Sequence, residues 1–417
     1  MSEPSTMAES PSQKPTAIQN QQQGQELANV GLRERLKHFT FAWFLCTMST
    51  GGLAIALAET PHRFNARYLL HPQHFKAAFT HPAESFFLGS FFLSISVIIG
   101  CIQLYGVAHG PAYHWLISTL HVLYWIYAAI SLLNSILQYW ILISCSTVRP
   151  IPYSPSLFLV GYSAMLTGTI ASLIARSQPE ERRLAIVVSG VAWQGVGWCI
   201  SFIAIVSYLR SALDQGLPPP ALRPGMFIPV GSCAFTVVAV IGLANVLSET
   251  SSTGYLARHP TAVEVLKILA LFMGIFLWLF GFWLFALAVL GNVVVVGRMP
   301  FSLSWWAFIF PNVGFMLSTS AIGRELESEP VLWVASVMTV LLVGIWSVAA
   351  VGCVRAVWRR EIVWPGRDED KIIIAVLKNE VTTVSPVHSC VLSRFQLQVF
   401  FRVVNFKAWV LSTVVYY

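Results

Sequence analysis

Nine long apolar runs divide the chain, and they constrain its fold more than any other feature. Each is close to or above the roughly 20 residues that cross a bilayer core as a helix. The runs cover residues 39–58, 86–106, 113–144, 157–175, 185–209, 226–247, 265–296, 302–322 and 331–354. A membrane barrel would show segments of about ten residues with alternating polarity instead. The sequence therefore predicts an all-α polytopic membrane protein with nine apparent spans.

Composition agrees with a chain that lies mostly in a lipid bilayer. Of the 417 residues, 56% are hydrophobic and 11% are charged, whereas soluble domains have about 25% charged residues. The net charge is +7, and the basic residues lie in short linkers between apolar runs, as cytoplasmic loops facing anionic lipid do. Because these residues form no continuous stripe, nucleic acid is not an expected partner.

The polar ends of the chain frame one membrane domain. We predict a polar N-terminal tail with a basic juxtamembrane segment over residues 1–38, a transmembrane domain over 39–355 and a cytoplasmic C-terminal tail over 356–417. Basic residues flank both ends of the domain and place both in the cytoplasm: Arg33, Arg35, Lys37, Arg355, Arg359, Arg360 and Arg367. Two cytoplasmic ends require an even number of spans. Either a span is missing within the polar segment 59–83, or one end lies outside.

No pattern typical of an enzyme is present. The chain lacks GxSxG, HExxH, P-loop and GxGxxG motifs, and its apolar runs contain almost no Asp or Glu. His71 and His74 form an HxxH pair, but Pro72 interrupts its helical spacing and no Cys or carboxylate completes a metal shell. We expect no enzymatic activity, no catalytic residue, no cofactor and no metal.

Small polar residues in the first run are typical of a transport pathway. Ser49, Thr50, Gly51 and Gly52 lie in the middle of that run and give one helix face a narrow, weakly polar surface. Hydroxyl groups and exposed backbone on such a face can donate to an anion. Close packing between helices through small residues is the other interpretation, and the two are compatible.

Two prolines and one lysine add to this pattern. Pro229 and Pro311 interrupt the sixth and eighth runs, and a proline kinks a helix and frees a carbonyl group. Phe310 precedes Pro311, where an aromatic side chain either plugs a pore by dewetting it or packs in the core or against lipid. Lys267 follows Glu264 by three residues. It is either an attractive charge at a pore mouth or half of an interfacial ion pair.

Seven sequence blocks, taken in order, resemble the fungal malic acid transport proteins of the tellurite-resistance/dicarboxylate transporter family. The blocks are FAWFLCTMSTGGLAIAL (41–57), LQYW (137–140), GTIAS (168–172), LRPGMFI (222–228), EVLKILA (264–270), SWWAFIFPNVGF (304–315) and VRAVWRREIVWPGRDED (354–370). Each block alone is weakly specific, whereas seven in the same order are specific. The resemblance covers roughly residues 32–370.

The resemblance implies ten helices, arranged as five hairpins in quasi-fivefold symmetry around a central pore, in a homotrimer. It also implies transport of malate, succinate and other C4 dicarboxylates across the plasma membrane, usually with protons. Plant guard-cell anion channels look distantly similar, and a phenylalanine on their ninth helix blocks the pore. The matching residue here is Phe310.

On this basis the expected pathway combines residues from several runs. Ser49, Thr50, Gly51, Gly52, Thr236 and Asn312 are expected to line it. Phe310 is expected to gate it, while Arg223 and Lys267 supply positive potential.

The chain also departs from the family pattern. The second of the ten helices looks deleted between residues 59 and 83, which accounts for nine spans. Ser232 stands where relatives commonly have proline, and the tail after about residue 371 does not resemble the family. Two alternatives therefore stay open: a sulfite efflux transporter on the same scaffold, and a degenerate membrane protein that transports nothing.

Overall fold

The computed structural model describes residues 82–110, 112–145, 155, 157–248 and 258–362, and within these ranges it contains eight α-helices. They are α1 (Pro82–Cys101), α2 (His114–Cys145), α3 (Leu157–Ile174), α4 (Glu180–Gln215), α5 (Ile228–Ser248), α6 (Pro260–Val293), α7 (Phe310–Glu325) and α8 (Glu329–Trp358). A π-helix (Ile102–Ala108) continues α1. Three 3-10 helices, Ala175–Ser177, Pro220–Phe227 and Leu303–Phe308, lie next to α3, α5 and α7.

Eight of the nine predicted spans coincide with these helices, which confirms the all-α membrane fold. Each helix, with its adjoining short helix where there is one, is long and apolar enough to cross a bilayer. The two longest runs, 113–144 and 265–296, each form a single helix, α2 and α6. The first predicted span (39–58) and the proposed deletion, up to residue 81, lie outside the described residues.

The helices alternate between an inner and an outer position along the chain. Most of α3, α5 and α7 and half of α1 are buried within the protein, whereas at most 39% of the membrane-spanning part of α2, α4, α6 or α8 is buried. We call the odd-numbered helices inner and the even-numbered helices outer. Exposed apolar side chains on the outer helices are expected where a helix faces lipid rather than water.

Successive inner helices pack side by side in the order α1, α3, α5 and α7, and each outer helix packs against its inner neighbours. The described chain is thus a series of inner–outer hairpins, the arrangement that the resemblance implies. Among the described residues no extended contact joins α7 to α1, so these four inner helices form an open arc.

Glycines permit close contact between inner and outer helices. A Cβ atom added at Gly197 of α4 would lie 2.5 Å from Cα of Met165 in α3, and one added at Gly168 would lie 2.8 Å from the Gly190 carbonyl oxygen. Small residues of this kind let membrane helices approach backbone to backbone. They fix the distance between α3 and α4.

The two prolines begin helices instead of kinking them, which corrects the sequence-based prediction for Pro229 and Pro311. Each is the second residue of an α-helix, α5 or α7. Helix α5 follows a 3-10 helix directly, and α7 follows one after the single residue Ile309. The first N–H groups of an α-helix have no intrahelical acceptor, so a proline there removes no hydrogen bond. The membrane segment changes helix type at each proline without a break inside the α-helix.

Candidate functional site

Two stacked phenylalanines fill the space between the inner helices α5 and α7. The ring centroids of Phe235 and Phe310 are 4.9 Å apart with an interplanar angle of 29°, and Phe310 is 2% exposed. Gly314 faces the ring of Phe235, and Gly231 faces Pro311 and Tyr162. We call Tyr162, Phe235 and Phe310 the constriction, because these buried aromatic side chains come from three consecutive inner helices.

A hydrogen-bond network connects Tyr162 of the constriction to helix α5. The Tyr162 hydroxyl donates to the carbonyl oxygen of Ile228 and accepts from Ser232 Oγ at 3.1 Å. Ser232 therefore ties α3 to α5 at the position where relatives commonly have proline.

The orientation of the Gln194 amide follows from the same network. Thr236 donates its hydroxyl hydrogen to the Ser232 carbonyl oxygen at 2.7 Å, so Thr236 Oγ1 can only accept from Gln194 Nε2 at 2.9 Å. Gln194 Oε1 is then left without a hydrogen bond among the described residues. The network joins outer helix α4 to inner helices α3 and α5.

Beyond the constriction, the faces of the inner helices become partly exposed. Residues one heptad further along each helix from Tyr162, Phe235 and Phe310 are on the same helix face, about 10 Å deeper. There the buried aromatic residues give way to small, polar or aliphatic residues that are partly exposed. We call the following partly exposed residues the vestibule: Thr169, Gly242 and Leu317 one heptad beyond the constriction, Ser172, Asn245 and Ser320 about one turn further on, and Val238 about one turn nearer.

The three faces that form the vestibule are in contact. A Cβ atom at Gly242 would lie 2.8 Å from Ser172 Cβ, which joins α3 to α5. Asn245 Nδ2 donates to Glu325 Oε1 at 2.5 Å, which joins α5 to the end of α7. The site is therefore a closed aromatic constriction at one end and a partly open, hydroxyl-bearing vestibule at the other.

Thr236 and Asn312 lie beside the constriction, and both are buried. Thr236 follows Phe235 and points toward Gln194 of the outer helix α4. Asn312 Nδ2 donates to the Phe308 carbonyl oxygen at 2.8 Å, and its Oδ1 atom has no hydrogen bond among the described residues. The other predicted lining residues, Ser49, Thr50, Gly51 and Gly52, fall outside the described residues.

The structure separates the two basic residues that were predicted to attract anions. The Arg223 guanidinium donates to the carbonyl oxygens of Pro218 (3.0 Å) and Gly291 (2.8 Å) and so caps the C-terminal end of α6. Lys267 lies 24 residues before Gly291 in α6, or about 36 Å along the helix. In the described part of the chain, it forms no ion pair with Glu264, contrary to one of the two interpretations above.

Sequence reasoning missed Tyr162 and Phe235 of the constriction, the residues of the vestibule, and Arg324 at the end of α7. The first two are aromatic residues in apolar runs and look like ordinary core residues. Arg324 lies on the face of α7 that carries Phe310, two heptads further along. Heptad spacing from Phe310 is the signal that would have identified it.

Comparison with known proteins gives a consistent result. The profile of the voltage-dependent anion channel family matches residues 64–354. The malic acid transport protein of Schizosaccharomyces pombe is 30% identical over 371 residues, which cover 82% of this chain and 84% of the relative. A putative malic acid transport protein of the same yeast is 30% identical over 367 residues, with coverage of 81% and 84%. A sulfite efflux pump of Arthroderma benhamiae is 26% identical over 324 residues, with coverage of 70% and 84%.

Proposed function

Because the chain belongs to the voltage-dependent anion channel family, we propose that it carries malate, succinate and other C4 dicarboxylates across the plasma membrane together with protons. Two relatives at 30% identity are named malic acid transport proteins, one of them putatively. The structural observation that supports an anion pathway most directly is the aromatic constriction, which lies at the closed end of a hydroxyl-bearing vestibule formed by inner helices. We propose a homotrimer in the bilayer, as the resemblance implies.

We propose that Phe310 is the gate of this pathway. Its ring stacks on Phe235 and is buried between α5 and α7. An apolar constriction stops ions because water, and with it a hydrated anion, leaves a narrow hydrophobic space. Rotation of the Phe310 side chain away from Phe235 would open the passage without moving the helices.

Among the described residues, the membrane-embedded part of the pathway is uncharged. Helices α3 and α5 contain no Asp, Glu, Lys or Arg, so an anion meets hydroxyl and amide groups instead of fixed countercharges. A monoanion costs less to desolvate than a dianion. A C4 dicarboxylate that carries one proton is therefore the form suited to this path, which supports proton-linked transport.

The charges at the two ends of the bundle support an orientation. At the end where α1 begins, the described helices and loops carry six arginines and three acidic residues: Arg210, Arg223, Arg298, Arg355, Arg359, Arg360, Glu84, Asp214 and Glu361. At the opposite end the described residues include six basic and six acidic ones: Arg176, Arg182, Arg183, Arg258, Lys267, Arg324, Glu180, Glu181, Glu264, Glu325, Glu327 and Glu329. By the positive-inside rule, the first end is cytoplasmic and the vestibule opens outward. The basic residues Arg33, Arg35 and Lys37 support a cytoplasmic N-terminus as well, which requires an even number of spans before α1 instead of the single run 39–58.

Labelled malate uptake tests the proposal in a yeast strain that lacks its own malate uptake. Surface protein is quantified in the same cells, at acidic and at neutral external pH. We expect uptake that rises at acidic pH. Surface-expressed protein that moves no malate at either pH would contradict the proposal.

Sulfite efflux is the second candidate, because sulfite efflux pumps with 24–26% identity align with 70–75% of this chain. Sulfite tolerance scored in the same cells distinguishes the two. Tolerance without malate uptake assigns the protein to sulfite export. Neither activity, with normal surface expression, favours a scaffold that transports no small anion of these classes.

A further inference from the structure

We propose that Arg324 recruits the carboxylate anion at the open end of the vestibule and passes it toward the constriction. The identity of the anion rests on the function proposed above, whereas the location of the charge does not. Arg324 is separate from Arg223 and Lys267, which the sequence suggested for this role.

The position of Arg324 follows from the geometry of α7. Phe310, Leu317 and Arg324 are spaced at heptad intervals, so they share one face of the helix with a drift of about 20° per heptad. Along this face the side chains change from buried at Phe310 to partly exposed at Leu317 and exposed at Arg324. Arg324 thus lies about 21 Å from the constriction along the helix axis, at the mouth of the vestibule.

The charge of Arg324 is not neutralised by its acidic neighbour. The Glu325 carboxylate accepts a hydrogen bond from Asn245 of α5 at 2.5 Å and is thereby held between α5 and α7. The Arg324 side chain forms no ion pair or hydrogen bond with any described residue. Its guanidinium is therefore available to a ligand, although Glu325 and Glu327 are close in sequence.

The rest of the inner helices supply no competing cation. In the described residues of α1, α3, α5 and α7, Arg324 is the one basic residue. The other basic residues at this end of the bundle belong to outer helices or to loops. An anion that enters the arc of inner helices therefore meets this guanidinium first.

The chemistry of the site favours a small carboxylate. A guanidinium presents a planar fork of donors that matches a carboxylate in a bidentate manner. Ser320 lies on the same face one turn deeper and offers a hydroxyl donor, whereas the Ser172 hydroxyl of α3 already donates to the Thr169 carbonyl oxygen at 2.7 Å. A dicarboxylate that leaves Arg324 would exchange the strong contact for weaker ones, which allows it to move on instead of being trapped.

The test compares three variants in proteoliposomes of purified protein: Arg324→Gln, Arg324→Lys and the control Arg182→Gln. Arg182 is exposed at the same end of the bundle but lies at the start of the outer helix α4, so its replacement removes the same charge outside the vestibule. We expect Arg324→Gln to raise the KM for malate about tenfold. Arg324→Lys should give an intermediate KM, and Arg182→Gln should leave the KM within twofold of wild type.

Ionic strength separates recruitment from a structural role. The Debye length falls from about 10 Å at 0.1 M salt to about 3 Å at 1 M. The ratio of KM values between Arg324→Gln and wild type should therefore shrink as salt rises, whereas a folding defect would not respond in this way. A KM for Arg324→Gln within twofold of wild type, or an equal change in Arg182→Gln, would overturn the proposal.

Different results would contradict the role of Arg324 and the proposed transport of malate. If the wild-type protein moves sulfite but not malate, the same comparison is made with sulfite, and an unchanged KM rejects the role of Arg324 alone. If it moves neither, the malate-dependent rise in Tm of the solubilised protein is compared instead. Loss of that rise in Arg324→Gln, but not in Arg182→Gln, supports recruitment. An equal rise in both variants rejects it.

Discussion

At the scale of single residues, we propose that the stacked pair Phe310–Phe235 determines whether the pathway is open. An aromatic pair of this geometry is worth about 0.5–1.5 kcal/mol beyond its buried area, and 1.4 kcal/mol corresponds to a factor of ten in an equilibrium. We therefore expect Phe310→Ala to raise anion conductance by up to about tenfold. Patch-clamp recordings, normalised to surface protein, measure this effect.

Phe315→Ala is the matched control for that substitution. Phe315 is a buried phenylalanine on the same helix, but it stacks on Trp278 and Phe285 of the outer helix α6. Its loss should lower stability by about 3–5 kcal/mol without raising conductance. Unchanged conductance in Phe310→Ala, or an equal rise in both variants, would rule out Phe310 as the gate.

The Thr236 hydroxyl holds the Gln194 amide in place, and its removal should destabilise the junction of α4 and α5. Thr236→Val leaves the Gln194 Nε2 donor without its partner, at a cost of about 0.6–2 kcal/mol. We expect a lower Tm for this variant in detergent. Thr236→Ser keeps the hydroxyl and should retain most of the wild-type Tm, and equal losses in the two variants would contradict this role of the hydrogen bond.

At the scale of elements, the close contact between α3 and α4 requires a glycine at position 197 but not at position 195. A Cβ atom at Gly197 would overlap the Met165 backbone at 2.5 Å, whereas one at Gly195 has no neighbour within 4 Å. Gly197→Ala should cost about 1–3 kcal/mol, and Gly195→Ala should be neutral or gain up to about 1 kcal/mol of helix propensity. Thermal unfolding of the two variants tests this, and equal Tm values would show that the helices separate easily.

Hydropathy was sufficient to locate the helices but not to distinguish the buried helices from those that face lipid. Runs 226–247 and 265–296 look equally apolar in sequence, yet α5 is largely buried and α6 largely exposed. Lipid and the protein interior are similarly apolar, so hydropathy cannot distinguish a helix that faces one from a helix that faces the other. The prolines show the same limit, because the sequence marks an interruption but not whether a 3-10 helix precedes it.

The candidate site was only partly predictable for a related reason. The importance of Phe310 came from resemblance, and the structure adds its partner Phe235, which no motif marks. Arg223 was a reasonable prediction from charge, but its guanidinium caps α6 through the Gly291 carbonyl oxygen. A contact between residues 68 positions apart depends on tertiary packing and leaves no local pattern in the sequence.

At the scale of the whole molecule, the constriction and the vestibule follow one another along the inner helices, about 10 Å apart, so orientation in the membrane decides their roles. With the arginine-rich end in the cytoplasm, the vestibule and Arg324 meet the external solution while Phe310 lies toward the cell interior. Recruitment then precedes gating during uptake. The reverse orientation would place Phe310 toward the external solution and make Arg324 a receptor for internal anions.

Cysteine labelling on the two ends of α8 determines which orientation holds. Glu329 and Arg359 are exposed and lie at the start and just past the end of this helix, about 45 Å apart. A membrane-impermeant maleimide on intact cells should label Glu329→Cys and not Arg359→Cys, with wild-type labelling subtracted for the seven native cysteines. Permeabilised cells should label both. Because both positions share one helix, the opposite pattern would invert the proposed topology, and labelling of both in intact cells would mean that α8 does not cross the membrane.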